Sequence, residues 1–261
     1  MLPQIFKNVL FGLQPIYRAV IYLVITILLS AFCDFSNNSE SYFAQQDNIL
    51  NIYFVKFSWG WTLMLLGAYL FARIYESHEK ETDLNVKIKH LLKTTARLCI
   101  ATAVWYYGTG FFLIVEEYSG VCDIPKYLNK NNCKENGYLW KGFDISGHCF
   151  LLVWCNLVIM EEVHCILDWE NRRNTHKQSS DIDVNGASHK NSWMVRLLFY
   201  LLCCVTMLWD IMIICTNMFF HSTTEKIIGT SIAVSSWFAL YQLLYKMYLN
   251  KYLGLKMKIR S

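Results

Sequence analysis

Two histidines, 73 residues apart, each stand at the edge of a hydrophobic stretch. His148 closes the run Asp144-Ile145-Ser146-Gly147-His148, and His221 stands in the short polar gap Phe220-His221-Ser222-Thr223-Thr224-Glu225-Lys226. Two imidazoles on one aqueous face suit phosphoryl hydrolysis: one attacks phosphorus and the other protonates the leaving oxygen. Ser146 and Gly147 would occupy the cap of a helix that begins near His148. The free N–H groups and the dipole of such a helix favour an anion, and phosphate is the natural guest. Glu225 follows His221 by four residues, so on a helix its carboxylate can hold the imidazole in one tautomer. Lys141 and Lys226 are the nearby cations that would balance phosphate charge. Each motif alone also reads plainly, as an N-cap beside an interfacial histidine and as a polar turn between helices. Their convergence on one membrane face is what points to a site.

The elements that would place these groups are apolar. Of the 261 residues, 54% are hydrophobic and 16% aromatic, and the mean hydropathy of +0.26 exceeds that of a soluble domain of this size. Three prolines leave few interruptions, and the apolar runs are continuous rather than alternating, which favours helices over a barrel. Six runs reach the roughly 20 residues needed to cross a bilayer: 16–33, 52–75, 91–115, 148–167, 194–219 and 226–249. The second and third are rich in tryptophan, tyrosine and glycine. The expected fold is all-α, a polytopic six-helix membrane bundle forming one domain over residues 1–261. Residues 178–191, rich in serine, aspartate and asparagine, read as a flexible loop.

Lysine and arginine set the orientation. Eighteen of the 24 basic residues fall at the two termini and in or beside the loops after the second and fourth runs. Both termini are therefore expected in the cytosol, and the loops 34–51, 116–147 and 220–225, with both histidines, on the opposite, lumenal face. The net charge of +4 is mostly this topology signal, so nucleic acid is not an expected partner. Asn37-Asn38-Ser39 is a glycosylation sequon in the first such loop. Cys122 and Cys133 lie in the second and could pair in an oxidising compartment. The other eight cysteines fall in or at the ends of apolar runs and read as small hydrophobes. There is no metal-ligand spacing, and neither a metal nor a cofactor is expected.

Asn156, Glu161, Glu162 and His164 lie in the fourth run and Asp210 in the fifth. Charges at membrane depth face the bundle interior. They are read either as structural, through interhelical hydrogen bonds or with Glu161 and Glu162 near the cytosolic interface, or as a polar lining for a lipid-head or acyl cavity. Glu162 would lie about 21 Å along the helix from His148, too far to assist it.

Ile145-Ser146-Gly147-His148 resembles the Pro-Ser-Gly-His motif of the lipid phosphate phosphatase superfamily, and His221-Ser222-Thr223-Thr224-Glu225 resembles its His-x-x-x-Asp motif with Glu for Asp. That resemblance implies His221 as nucleophile and His148 as general acid. The superfamily's phosphate-clamping arginines have no counterpart, since Ile214 and Cys215 stand where Ser-Arg is expected. The wider set Phe57-Ser58-Trp59-Gly60-Trp61-Thr62, 141–152, Glu161-Glu162 and 220–226 is similar to the fat storage-inducing transmembrane protein family. The similarity implies a multi-pass endoplasmic reticulum protein that hydrolyses the diphosphate bond of fatty acyl-CoA at the lumenal face. It also implies binding of diacylglycerol and triacylglycerol and promotion of lipid droplet formation. Two readings stay open. The histidine pair with Glu225 favours an enzyme; the missing arginines favour a non-catalytic neutral-lipid binder.

Overall fold

The structure, a computed structural model, describes residues 10–34, 48–78, 84–180, 193–220 and 222–245. His221, the sequon Asn37-Asn38-Ser39, the tail after Tyr245 and most of the loop 178–191 lie outside the described residues.

The long elements are all helices: α1 (Pro15–Asp34), α2 (Ser58–His78), α3 (Leu84–Ser119), α5 (Gly147–Ser180), α6 (Trp193–Phe219) and α7 (Thr223–Trp237), with one turn α4 (Lys130–Glu135) between them. Pro15 opens α1, where its fixed φ fits the first helical position and its missing N–H costs no bond. No other described helix contains proline, so nothing breaks the long runs from within. α7 passes without interruption into a wider π-helical stretch, Phe238–Tyr245. Among the described residues, five helices are long and apolar enough to cross a membrane: 15–33, 90–119, 147–168, 193–219 and 223–245. The chain is thus an all-α, multi-pass membrane protein.

The second expected run is the one that differs. It divides into a π-helical turn Leu50–Val55, a turn at Lys56-Phe57, and α2. α2 is 21 residues long but is diluted by tryptophan, glycine and threonine, and it is not among the five apolar spans. α5 differs in the other direction. It continues as helix to Ser180, well past the end of its apolar stretch.

α5 is the axis of the bundle. In its apolar window 78% of residues are buried inside the protein, against 17–33% for the other four spans, so those four turn most of their surface outward. α1, α2, α3, α6 and α7 all pack on α5. Cys149, Phe150 and every residue from Leu152 to Met160 have no exposed surface.

The polar groups at membrane depth tie helices together. Arg97 of α3 grips Glu162 of α5 through two bonds of 2.7 Å, and Tyr241 donates to the same carboxylate at 3.1 Å. Arg18 of α1 pairs with Asp210 of α6. Tyr22 and Asn156 donate to Asp210 at 2.7 and 2.8 Å. Of the two readings open for these residues, interhelical bonding is the one formed by Glu162, Asn156 and Asp210.

Between α3 and α5 the chain forms a small stapled unit. β1 (Val121–Cys122) pairs antiparallel with β2 (Trp140–Lys141), and a disulfide joins Cys122 to Cys133 of α4. Lys130 reaches back to Glu116 at 2.7 Å, and the Trp140 indole donates to the Glu116 carbonyl at 3.2 Å. The unit is thereby seated on the end of α3, and the strand leaving it runs straight to His148.

Candidate active site at the paired helix starts

The site is built from two helix N-termini brought side by side. Ser146, fully buried, is the N-cap of α5: its hydroxyl accepts the Cys149 N–H at 3.3 Å and its carbonyl accepts that of Phe150 at 3.1 Å. Gly147 and His148 form the first turn and are both half-buried. At the other start, Ser222 is the N-cap of α7, and Glu225 completes a capping box by accepting the Ser222 N–H at 2.9 Å.

The two starts are bolted together. The Ser146 N–H donates to the Glu225 carbonyl at 3.2 Å, and the Asp144 N–H donates to Glu225 Oε1 at 3.3 Å. Gly229 makes the approach possible, because a Cβ there would lie 2.5 Å from the Ser146 carbonyl oxygen. Only glycine lets α7 press this closely on the beginning of α5. Two sets of first-turn N–H groups, and the positive ends of two helix dipoles, therefore meet in one place.

His148 lies against Phe220, with ring centroids 6.2 Å apart. Phe220 is the chain neighbour of His221, which itself lies outside the described residues. The sequence reading expected Glu225 to meet the imidazole across one helical turn. α7 begins at Thr223. One Glu225 oxygen accepts from Ser222 and the other from Asp144.

The two expected phosphate cations take different places. Lys226 is 2% exposed, and its ammonium donates to the Asn217 carbonyl at 2.8 Å. Among the described residues that carbonyl is its hydrogen-bond partner and no carboxylate pairs with it. Asn217 in turn accepts from the Cys149 thiol at 3.7 Å and donates to Thr26 at 3.4 Å. A positive charge is thus held beneath the paired helix starts. Lys141 stands away from this cluster on the ribbon, 65% exposed, and pairs with Asp123 at 2.7 Å.

Asp144, Ser222, Phe220, Asn217 and Gly229 were not singled out from sequence. Ser222-x-x-Glu225 carried a readable signal as a capping box. The other contacts join residues too distant in sequence to leave one. Among the described residues no group of three or more His, Cys, Asp or Glu side chains could hold a metal ion.

A sequence profile described as "Fat storage-inducing transmembrane protein" matches residues 39–116 and 114–241. The chain is 32% identical over 253 residues to the acyl-coenzyme A diphosphatase FITM2 of Drosophila melanogaster, an alignment covering 87% of this chain and 58% of that protein. To the human protein of the same name it is 33% identical over 210 residues, with 77% and 72% covered. To the zebrafish (Danio rerio) one it is 32% identical over 240 residues, with 88% and 84% covered. No solved structure matches the chain.

Proposed function

The chain belongs to the fat storage-inducing transmembrane protein family, and from that premise we propose that it is an acyl-CoA diphosphatase. It hydrolyses the phosphoanhydride of fatty acyl-CoA to an acyl 4′-phosphopantetheine and adenosine 3′,5′-bisphosphate. The observation that carries this reading is the joining of the α5 and α7 starts, with His148 packed on the residue next to His221.

In this reading the diphosphate lies over the two N-termini. First-turn N–H groups around Gly147 and His148 and the buried Lys226 ammonium offset its charge. An ammonium with so little water and, among the described residues, no carboxylate is costly alone, and an anion at the neighbouring site relieves it. The His221 imidazole attacks phosphorus, the bridging P–O bond breaks, and His148 gives its proton to the departing oxygen. A water then attacks the phosphohistidine; His148 takes that water's proton and the His221 nitrogen is released. Glu225 acts here as the bolt that fixes the distance between the two histidine-bearing turns. Lys141, at its present place on the ribbon, is suited to the outer part of a bound nucleotide. The protein sits in the endoplasmic reticulum membrane with this end lumenal, which agrees with the Cys122–Cys133 disulfide. Diacylglycerol and triacylglycerol are its neutral-lipid partners, and droplet formation is the process it promotes.

The test is release of adenosine 3′,5′-bisphosphate from oleoyl-CoA by the purified protein, compared with His148→Ala and His221→Ala. Loss of release in both, with folding intact, is expected. Equal rates in all three would leave a neutral-lipid binder as the reading.

A further inference from the structure

Two contacts fix the heights of α3 and α5 against each other. The first is the Arg97–Glu162 pair. At about 1.5 Å per residue, His148 stands about 21 Å from that pair along α5, and Glu116 about 28 Å from it along α3. The second is Gly108 of α3 against Phe150 of α5, where a Cβ would lie 2.9 Å from the ring. From there His148 is about 3 Å nearer the end of the bundle and Glu116 about 12 Å nearer. Both counts have Glu116 overtopping His148 by about 7–9 Å.

The overtopping part of α3 is lipid-like in composition. Residues 98–115 carry no charge and span about 27 Å, close to the roughly 30 Å of a hydrocarbon core. Phe111, Leu113 and Ile114 are 52, 63 and 52% exposed. They lie on the side of the helix away from the buried Phe112, with Phe111 and Ile114 one turn apart on one face, an uncharged outward surface that acyl chains would cover.

We propose that the reactive end of the bundle is sunk roughly 7–9 Å inside the leaflet and receives its substrate sideways from the bilayer. The substrate is then an amphiphile whose chain stays among the lipids while its anionic group comes to His148. The substrate's identity as an acyl-CoA rests on the proposed diphosphatase function; the depth of the site does not.

Two measurements on the full chain in lipid nanodiscs test it. In the first, a photo-reactive phenylalanine analogue replaces Ile114 or, as a polar control, Asn132 of the stapled unit. Ile114 is expected to capture lipid acyl chains at least ~10-fold more than Asn132, and parity would overturn the proposal. In the second, the unaltered protein is given oleoyl-CoA and butyryl-CoA, which stays in water. The kcat/KM for butyryl-CoA is expected to fall by about 10²-fold or more, since its short chain cannot hold it in the leaflet. Equal kcat/KM values would overturn the recessed site while leaving the diphosphatase reading intact. Failure to cleave oleoyl-CoA at all, with Ile114 still labelled by lipid, would remove the proposed chemistry and support the recess.

Discussion

The two ends of the apolar part of α5 handle charge in opposite ways. At Glu162 each carboxylate oxygen receives an Arg97 nitrogen at 2.7 Å. The same guanidinium also reaches Tyr245 at 2.9 Å and lies 4.9 Å from the centre of its ring. Glu162 has no exposed surface. At His148 the imidazole is half-buried, two helix starts present their first-turn N–H groups, and the nearest buried cation rests on a carbonyl. One cluster is a neutral ion pair; the other gathers two helix starts and a buried cation, a positive potential that favours an incoming anion. Polar groups in the bundle therefore divide by charge balance. A neutral pair holds helices together, and a net positive end is where chemistry on an anion is to be sought.

The largest test of this division is at the positive end. His148→Ala should lower kcat by about 10²–10⁴-fold, the usual worth of a general acid, and His221→Ala should abolish the covalent step. Neither should move the thermal midpoint in detergent by more than a few degrees, and a loss of folding in both would erase the contrast. At the neutral end the sign reverses. Arg97→Ala leaves Glu162 buried without its partner and should cost about 3–5 kcal/mol of stability, read as early aggregation on heating. The paired change Arg97→Met with Glu162→Leu should recover most of that loss, since apolar replacements for a buried pair are often neutral. If the paired change is as damaging as the single one, the neutral pair has a role beyond cohesion.

Smaller effects are expected nearer the site's frame. Cys122→Ser should weaken the stapled unit by about 2–4 kcal/mol, seen as faster local hydrogen exchange over 120–141, with the helices unchanged. Glu225→Gln keeps the shape but replaces one accepting oxygen with a donor, so either the Ser222 or the Asp144 N–H loses its partner, at about 1–3 kcal/mol. Its activity should fall by about tenfold, well short of either histidine variant. A Glu225→Gln loss equal to that of His221→Ala would mean that the carboxylate takes part in the reaction itself.

Much of this was legible in the chain. Apolar run length gave the helices, because in hydrocarbon a backbone must satisfy its own hydrogen bonds. The run 52–75 was the exception: its break at Lys56-Phe57 carries neither proline nor glycine, and aromatic residues on both sides mask it. The extension of α5 to Ser180 was missed because hydropathy marks where the apolar stretch stops, not where the helix does. At the site, Ser146-Gly147-His148 read correctly as a helix start. The bond from Asp144 to Glu225 spans 81 residues, and the seat of Ser146 on Gly229 is a matter of tertiary packing; neither leaves a periodicity to read.

The Arg18–Asp210 pair also bears on how the chain is made. The two residues are separated by 192 positions. At roughly 5–20 residues per second of synthesis, α1 is complete about 10–40 s before its acidic partner exists. During that interval the guanidinium, near the first turn of α1, snorkels back to the water at the membrane surface. α1 is then committed early to the bilayer but late to the bundle. Its final seat is taken when α6 arrives, and a ribosome stalled before Asp210 would release a protein whose first helix is inserted yet undocked.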